Sequence, residues 1–497
     1  MKLGALAQGA GITLDGAADA NASVTGFAID NRKVAPGTVF GAFKGARFNG
    51  EDFIASAVEA GAVAVVARPE AQVDGAVHIA DHEPRRTFAK LAAQFFTPVP
   101  ETIVAVTGTN GKTSCVEMTR QIWRMCGERA ASIGTLGVTT PDESVSTGLT
   151  TPDIVTFLSN MSGLAREGVT RVAYEASSHG LSQFRNEGLR VRAGAFTNFS
   201  RDHLDYHGSM ENYFQAKMRL FQEVVEDGGT AIVVVSDAPN DWTHKATEHA
   251  LKGGLNLLTV GAGGEFLKLT SREATQLGQT LEIEHDGESR TVKLPLIGAY
   301  QAENALTAAG LALATGADTG AVFDALGRLQ PVRGRLERAV ITSGGAPVYI
   351  DYAHTPDALE AAIAALRPHV DERAGGRLIV VFGAGGDRDQ GKRAQMGQVA
   401  SAAADLVIVT DDNPRGEDPA AIRAQVMEGA GDSARETGDR REAIAAAIAE
   451  ANSADVILIA GKGHEQGQII GSGDTMRILP FDDVEVAREC AALEAQS

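Results

Sequence analysis

The feature that most constrains this chain is a short apolar strand running straight into a glycine loop and then a helix. Ile103-Val104-Ala105-Val106 shows no polar alternation and reads as a strand buried on both faces. Gly108-Thr109-Asn110-Gly111-Lys112-Thr113 follows, and a helix is predicted from Lys112 onward. Such a loop lets backbone N–H groups close around phosphates, the helix N-terminus adds positive potential, and Lys112 supplies a cation. Thr113 offers a hydroxyl to Mg2+. The usual eight-residue form wants glycine at position 106, which is Val106 here, so the loop is a shortened variant. The plainer alternative, a tight turn with an incidental Lys-Thr pair, fits the strand-and-helix setting less well. An ATP-using enzyme is the expectation.

A both-faces-buried strand demands further parallel strands with helices between them. Residues 171–175, 193–197 and 231–235 supply them, whereas 265–295 shows short alternating runs with Gly and Asp turns, an expected antiparallel excursion. A chain of 497 residues has room for two to four domains. Upstream, residues 53–60 have helical spacing, Gly61 stops them and 62–67 continue as a strand. Thr97-Pro98-Val99-Pro100 makes a stiff link and a boundary, and Gln330-Pro331-Val332 makes a second. Beyond it, strands are expected at 348–352, 377–382, 405–410 and 455–460. The divisions are therefore 1–98, 99–332 and 333–497. Gly383-Ala384-Gly385-Gly386 lacks the third glycine of a dinucleotide fingerprint and is followed by Asp387, so a close backbone turn is the better reading.

Composition removes several classes. The net charge of −19 disfavours nonspecific binding to nucleic acid or an anionic membrane. No apolar run approaches the ~18–20 residues of a membrane helix, and Met1-Lys2-Leu3-Gly4 lacks a signal-peptide profile, so a cytoplasmic location is expected. Cys115, Cys126 and Cys490 are too few and too scattered for a disulfide framework or a zinc site.

Two further segments carry chemistry. Met210, Phe214, Phe221 and Val225 recur at helical spacing, and Lys217 falls on the same stripe. Either Lys217 snorkels to water, or desolvation lowers its pKa until the amine can take up CO2 as a carbamate. Asn198 to His207, after a strand, is dense in metal-capable groups, and Glu175 ends another strand just before Ser177-Ser178-His179-Gly180. Several strands ending in Glu, His and Asp beside a phosphate loop point toward Mg2+.

These segments, followed by Asp351-Tyr352-Ala353-His354-Thr355-Pro356-Asp357 and Asp412-Asn413-Pro414-Arg415, occur in one order. In that combination the chain resembles the Mur ligase family, essentially end to end. The resemblance implies an α/β fold of three domains: a UDP-substrate-binding domain, a central P-loop ATPase domain with a parallel sheet, and a C-terminal Rossmann-like domain. It implies an ATP-dependent ligase adding meso-diaminopimelate to the D-glutamate of UDP-N-acetylmuramoyl-L-alanyl-D-glutamate in peptidoglycan precursor synthesis. In that mechanism the glutamate γ-carboxylate becomes an acyl phosphate, which the incoming amine attacks.

The resemblance places roles residue by residue. Gly108, Thr109, Asn110, Gly111, Lys112 and Thr113, with Asn304, Arg335 and Asp351, match the nucleotide site. Ile29 and Asn31 match uridine contacts, although the family usually has serine at the latter. Thr150, Thr151, Ser177, Gln183 and Arg185 match the muramoyl-dipeptide site, with Leu149 replacing a common polar residue beside them. Thr113 and Glu175 match ligands of one Mg2+, and His203 with carbamylated Lys217 match a second. Lys112, Lys217 and His203 are the expected catalytic groups. Arg388, Asp412, Asn413, Arg415, Gly461 and Glu465 match the amino-acid pocket. The family's Asn-x-Asp-Asp after a central strand appears only as Val234-Val235-Ser236-Asp237. A monomer is expected. Alternatives are a lysine-adding ligase of the same scaffold, a folylpolyglutamate synthetase-like ligase, and a nucleotide-switched regulator. The last would leave Arg388, Arg415 and Glu465 without a purpose.

Overall fold

Runs rich in Val, Ile and Ala build three separate sheets in chain order, each backed by helices. The computed structural model describes residues 1–14, 19–45, 48–140, 143–145, 150–275, 278–387, 389–431 and 434–495. The first sheet is parallel, in the order β1 (Gly26–Ala28), β2 (Thr38–Gly41), β3 (Ala62–Ala67), β4 (Val77–Ala80). The helix Pro84–Phe95 packs on it through Phe88, which meets the rings of Phe27 and Phe43 edge-on, at 5.4 Å in each case. The helical spacing at 53–60 is realised as a 3-10 turn Gly50–Phe53 leading into the helix Ile54–Glu59.

The second sheet has eleven strands among the described residues. They are β5 (Thr102–Thr107), β6 (Ala130–Gly134), β7 (Gly137–Thr139), β8 (Ser144–Val145), β9 (Arg171–Glu175), β10 (Val191–Phe196), β11 (Val225–Val234), β12 (Asn256–Gly261), β13 (Leu267–Thr275), β14 (Gly278–His285) and β15 (Glu288–Leu294). β6-β9-β5-β10-β11-β12-β13 pair in parallel, and β13-β14-β15 form the antiparallel excursion expected at 265–295. β5 lies between β9 and β10, so the loops leaving these three strands open side by side at the switch point where α/β sheets place ligands. The helices Lys112–Met125 and Ala299–Ala314 cover one face of this sheet.

One helical expectation needs correction. The stripe through 210–225 is a helix only over Met210–Arg219, followed by a π turn Leu220–Val224, and Val225 opens β11. The β-branched pair Val224-Val225 favours extended backbone, and Gly228-Gly229 lets the strand begin close against its neighbour.

The third sheet runs β16-β17-β21-β18-β19-β20, with only β16 antiparallel. Its strands are β16 (Arg335–Ile341), β17 (Pro347–Asp351), β18 (Leu378–Phe382), β19 (Leu406–Val409), β20 (Ala434–Glu436) and β21 (Val456–Ala460), followed by a hairpin of β22 (Gly467–Ile470) and β23 (Arg477–Pro480). Thr355 caps the helix Pro356–Leu366, with Pro356 at its first position, which starts a helix immediately beyond the loop leaving β17. The turn at 383–386 is a close backbone approach, since a Cβ at Gly386 would strike the Pro414 carbonyl. No helix among the described residues is long and apolar enough to cross a membrane.

Candidate active site

The loop after β5 is shaped for a ligand on its backbone. Gly111 sits at the N-cap of the helix Lys112–Met125 with φ +86°, and no side chain caps that end, so its first N–H groups face outward. A Cβ at Gly111 would collide with Asn304 Oδ1, and one at Gly108 with Thr197 Oγ1. The segment after β10 fastens the loop: the Asn110 N–H donates to Asn198 Oδ1 (2.9 Å), and Thr197 Oγ1 donates to the Asn110 carbonyl (2.6 Å). The Ser200 N–H donates to Thr109 Oγ1 (3.0 Å).

Two lysines converge on this loop. Lys112 Nζ curls back to donate to the carbonyls of Gly108 (3.0 Å) and Thr109 (2.6 Å). Lys217 Nζ donates to the same Gly108 carbonyl at 2.6 Å and lies 4.3 Å from the centre of the Tyr213 ring. Lys217 is 1 % exposed, so it does not snorkel. Burial, then the neighbouring Lys112 charge, holds its pKa well below the ordinary lysine range, against an opposing pull from Asp202. Burial also lowers Lys112, with Glu175 and Asp202 opposing.

Glu175, at the end of β9, accepts from the Thr135 N–H (2.7 Å) and the Thr135 hydroxyl (3.1 Å). The Thr135 hydroxyl also lies 3.1 Å from Thr150 Oγ1. Thr151 Oγ1 lies 2.9 Å from Ser177 Oγ, Arg185 donates to the Thr151 carbonyl (2.9 Å) and to Gln183 Oε1, and Gln183 donates to the Tyr206 hydroxyl. Thr150, Thr151, Ser177, Gln183 and Arg185 thus form one connected surface. His203 adopts φ +52° and packs 4.9 Å from the ring of His179, and burial pushes its pKa down to about 4.

The third sheet closes the site. Arg335 donates to Thr113 Oγ1 (3.0 Å) while its guanidinium lies 4.5 Å from the Tyr352 ring centre. Asp351, at the end of β17, accepts from the Leu336 N–H (2.7 Å), and burial pushes its pKa up to about 6 against the pull of Arg335. Asn304 donates to Gln301 Oε1 at 3.1 Å.

One cleft of about 300 Å3 therefore gathers Thr109, Asn110, Gly111, Lys112, Thr113, Thr150, Glu175, Ser177, His203, Lys217, Asn304, Arg335 and Asp351. The Gly108 carbonyl borders it through both lysines. Asp202, Tyr300, Tyr352, His354 and Asp357 also line it without having been singled out from the sequence for a role. Three of these five lie inside the 351–357 segment, which signalled the place but not the individual side chains. Among the described residues no group of three His, Cys, Asp or Glu forms a metal cage. Mg2+ takes one or two protein groups and fills the rest with water and phosphate oxygens, and the hydroxyl of Thr113 and carboxylate of Glu175, both lining this cleft, are oxygen donors of the kind it takes.

Ile29 and Asn31 stand apart on the first sheet, where Asn31 donates to Ser56 Oγ (3.2 Å). A second cluster lies beyond the C-terminal ends of two inner strands of the third sheet. Asp412, Asn413 and Arg415 follow β19, and Gly461 and Glu465 follow β21. Asn413 donates to Glu465 Oε2 (2.8 Å), and Arg415, at φ +52°, donates to the carbonyls of Gly386 (3.0 Å) and Asn413 (3.3 Å). The Gly461 N–H donates to the Asp351 carbonyl at 3.0 Å, which ties this cluster to the cleft. Lys462, unnoticed between two expected pocket residues, joins it with its side chain fully buried. Arg388 and Leu149 lie outside the described residues.

Three family models match in chain order: Mur ligase family, catalytic domain over residues 23–98; Mur ligase middle domain over 106–312; and Mur ligase, glutamate ligase domain over 334–463. The chain is 58 % identical to the UDP-N-acetylmuramoyl-L-alanyl-D-glutamate–2,6-diaminopimelate ligase of Zymomonas mobilis, across 98 % of each chain. It is 50 % identical to the protein of the same name from Bradyrhizobium diazoefficiens, over 94 % of this chain and 95 % of that one. A solved structure of a UDP-N-acetylmuramoyl-L-alanyl-D-glutamate–2,6-diaminopimelate ligase superposes over the full length of both chains with a TM-score of 0.71 at 32 % identity.

Proposed function

The chain belongs to the Mur ligase family, and we propose that it uses ATP to add meso-diaminopimelate to the D-glutamate of UDP-N-acetylmuramoyl-L-alanyl-D-glutamate. The observation that carries the ligase reading is the single cleft in which the phosphate loop, two buried lysines and Glu175 meet Arg335 and Asp351 from another sheet. Full-length similarity to diaminopimelate ligases supports the choice of amino acid.

In this reading Gly108 to Thr113 cradle the triphosphate, and Asn304, Arg335 and Asp351 complete the nucleotide site. Ile29 and Asn31 meet the uridine end of the other substrate, and the Thr150–Arg185 surface meets its dipeptide. The glutamate γ-carboxylate attacks the γ-phosphorus, ADP leaves, and an acyl phosphate remains. Lys112 offsets charge gathering on the transferred group, and the loop N–H groups hold it in line. Thr113 and Glu175 would hold one Mg2+, and His203 with a carbamate on Lys217 a second, supplying further charge neutralisation. The amine, seated by Arg388, Asp412, Asn413, Arg415, Gly461 and Glu465, attacks the acyl carbon, a tetrahedral intermediate forms and phosphate departs. The three units divide near residues 98 and 332, and the enzyme works in the cytoplasm as a monomer.

Diaminopimelate differs from lysine by one carboxylate at the far end, which a guanidinium fork can grip through two parallel hydrogen bonds. Arg415 is that fork. Comparing kcat/KM for meso-diaminopimelate and L-lysine tests it. Wild type should favour diaminopimelate by ~10^4 or more, because lysine brings no distal carboxylate to that guanidinium. Arg415→Ala should collapse most of that ratio by damaging diaminopimelate use. A wild type preferring lysine, or a ratio indifferent to Arg415, overturns the assignment.

A further inference from the structure

We propose that Lys462 is a positioning residue for amino-acid recognition: it holds Asn413 and Glu465 in place and balances one of the two pocket carboxylates. The proposal rests on the amino-acid pocket described above. Lys462 leaves β21 between Gly461 and Gly463, both at positive φ (116° and 54°), which turns its side chain into the protein with 0 % exposure. An ammonium has three donors and no acceptor. Here Nζ finds Asn413 Oδ1 at 3.0 Å, Glu465 Oε2 at 3.3 Å and Asp412 Oδ1 at 3.7 Å.

The first contact settles which way the Asn413 amide faces. Its oxygen accepts from Lys462 and from the Ile469 N–H (2.8 Å), and its nitrogen donates to Glu465 Oε2 (2.8 Å). Asn413 is thereby held in one orientation at the pocket wall. An ammonium arriving in the pocket is met by the carboxylates of Asp412 and Glu465. Around the same point, Gln468 donates to the Asp412 carbonyl (2.8 Å) and the Arg415 N–H donates to the Ile469 carbonyl (3.0 Å), so the loops after β19 and β21 and the β22–β23 hairpin all meet at one buried amine.

Charge counting gives Lys462 its second task. Asp412 and Glu465 bring two negative charges and Lys462 one positive, so Lys462 offsets one carboxylate beside the buried Arg440 cation, which also acts on both. Without the lysine, the two carboxylates would face each other with less positive charge between them.

The test compares Lys462→Met, Glu465→Gln and the double variant, with KM measured separately for the amino acid, ATP and the UDP-linked substrate. The amino acid used is whichever one the wild type accepts, so a wrong choice of diaminopimelate shows in the wild type and leaves the comparison intact. Removing one partner of a buried charge pair should raise the amino-acid KM about 30-fold or more in Lys462→Met. The other two KM values should stay within about twofold and kcat within about fivefold, because the phosphate-loop site is untouched. Since Lys462 acts through Glu465 as well as Asn413, the double variant should fall short of the product of the two single effects. If Lys462→Met does not fold, the double variant decides: its amino-acid KM should exceed that of Glu465→Gln while the other two KM values hold. An unchanged amino-acid KM in folded Lys462→Met, multiplying effects in the double, equal losses for all three substrates, or failure of both variants to fold would each overturn the proposal.

Discussion

Asp483→Ala should destabilise the third-sheet unit far more than a typical single change. Arg440 and Asp483 form an ion pair whose side chains are 1 % and 0 % exposed. The guanidinium grips both carboxylate oxygens, at 2.8 and 2.7 Å, and donates to the carbonyls of Ala460 (3.0 Å) and Asp411 (3.3 Å). Removing the carboxylate leaves a buried cation uncompensated, about 3–5 kcal/mol. For a unit of roughly 150–250 residues each kcal/mol moves Tm by about 2–4 °C, so the loss is about 6–20 °C. Arg440→Met with Asp483→Leu removes both charges but orphans the two carbonyls, at about 1–3 kcal/mol each, so the double should fall below wild type yet lie no lower than the sum of the singles. Calorimetry measures the shift, and hydrogen exchange locates it. Peptides from β19 and β21 should lose protection while those from β5 keep theirs. A Tm shift under about 2 °C, or protection lost equally in all three sheets, would refute the argument.

Lys112→Ala should lower kcat by about 10^2–10^3 with the fold intact, since it removes a cation from the transferring phosphoryl group; phosphate release coupled to ligation measures it. Lys217→Ala should be almost inactive and partly rescued by a small added carboxylate, and full activity without the additive would exclude the carbamate. Burial pushes His354 down to about 4 and His464 down to about 3, whereas an unfolded histidine titrates near 6.5. The unfolded chain therefore binds more protons in that window, and this part of the stability is complete above about pH 6.5 and lost as pH falls towards 4. Urea midpoints of wild type and His464→Asn from pH 7.5 to 5 should converge on acidification, and parallel curves would contradict the assignment.

The phosphate loop, the strands around it and the place of Lys217 on an apolar stripe were legible because each depends on local pattern: an apolar run, glycines at a fixed place, a helical stripe; whether Lys217 snorkels or is buried was not. The end of the 210–225 helix was not, because whether Val225 continues a helix or opens β11 depends on the neighbouring strand it pairs with. Arg440 and Asp483 lie 43 residues apart and carry no spacing signal. Lys462 sat in plain view between Gly461 and Glu465, but a lysine in a glycine-rich loop reads as a solvent-facing charge until the chain's turn inward is known. Arg335 was legible only by resemblance, since its hydrogen bond to Thr113 spans 222 positions.

The Gly108 carbonyl receives both Lys112 and Lys217. One oxygen has only two lone pairs, so the lysines are joint tenants rather than neighbours. If Lys217 turns its nitrogen to CO2, Lys112 inherits a more basic acceptor and grips its own loop harder. If phosphate draws Lys112 away, the carbonyl tightens on Lys217. A substitution at either position is thus an experiment on both.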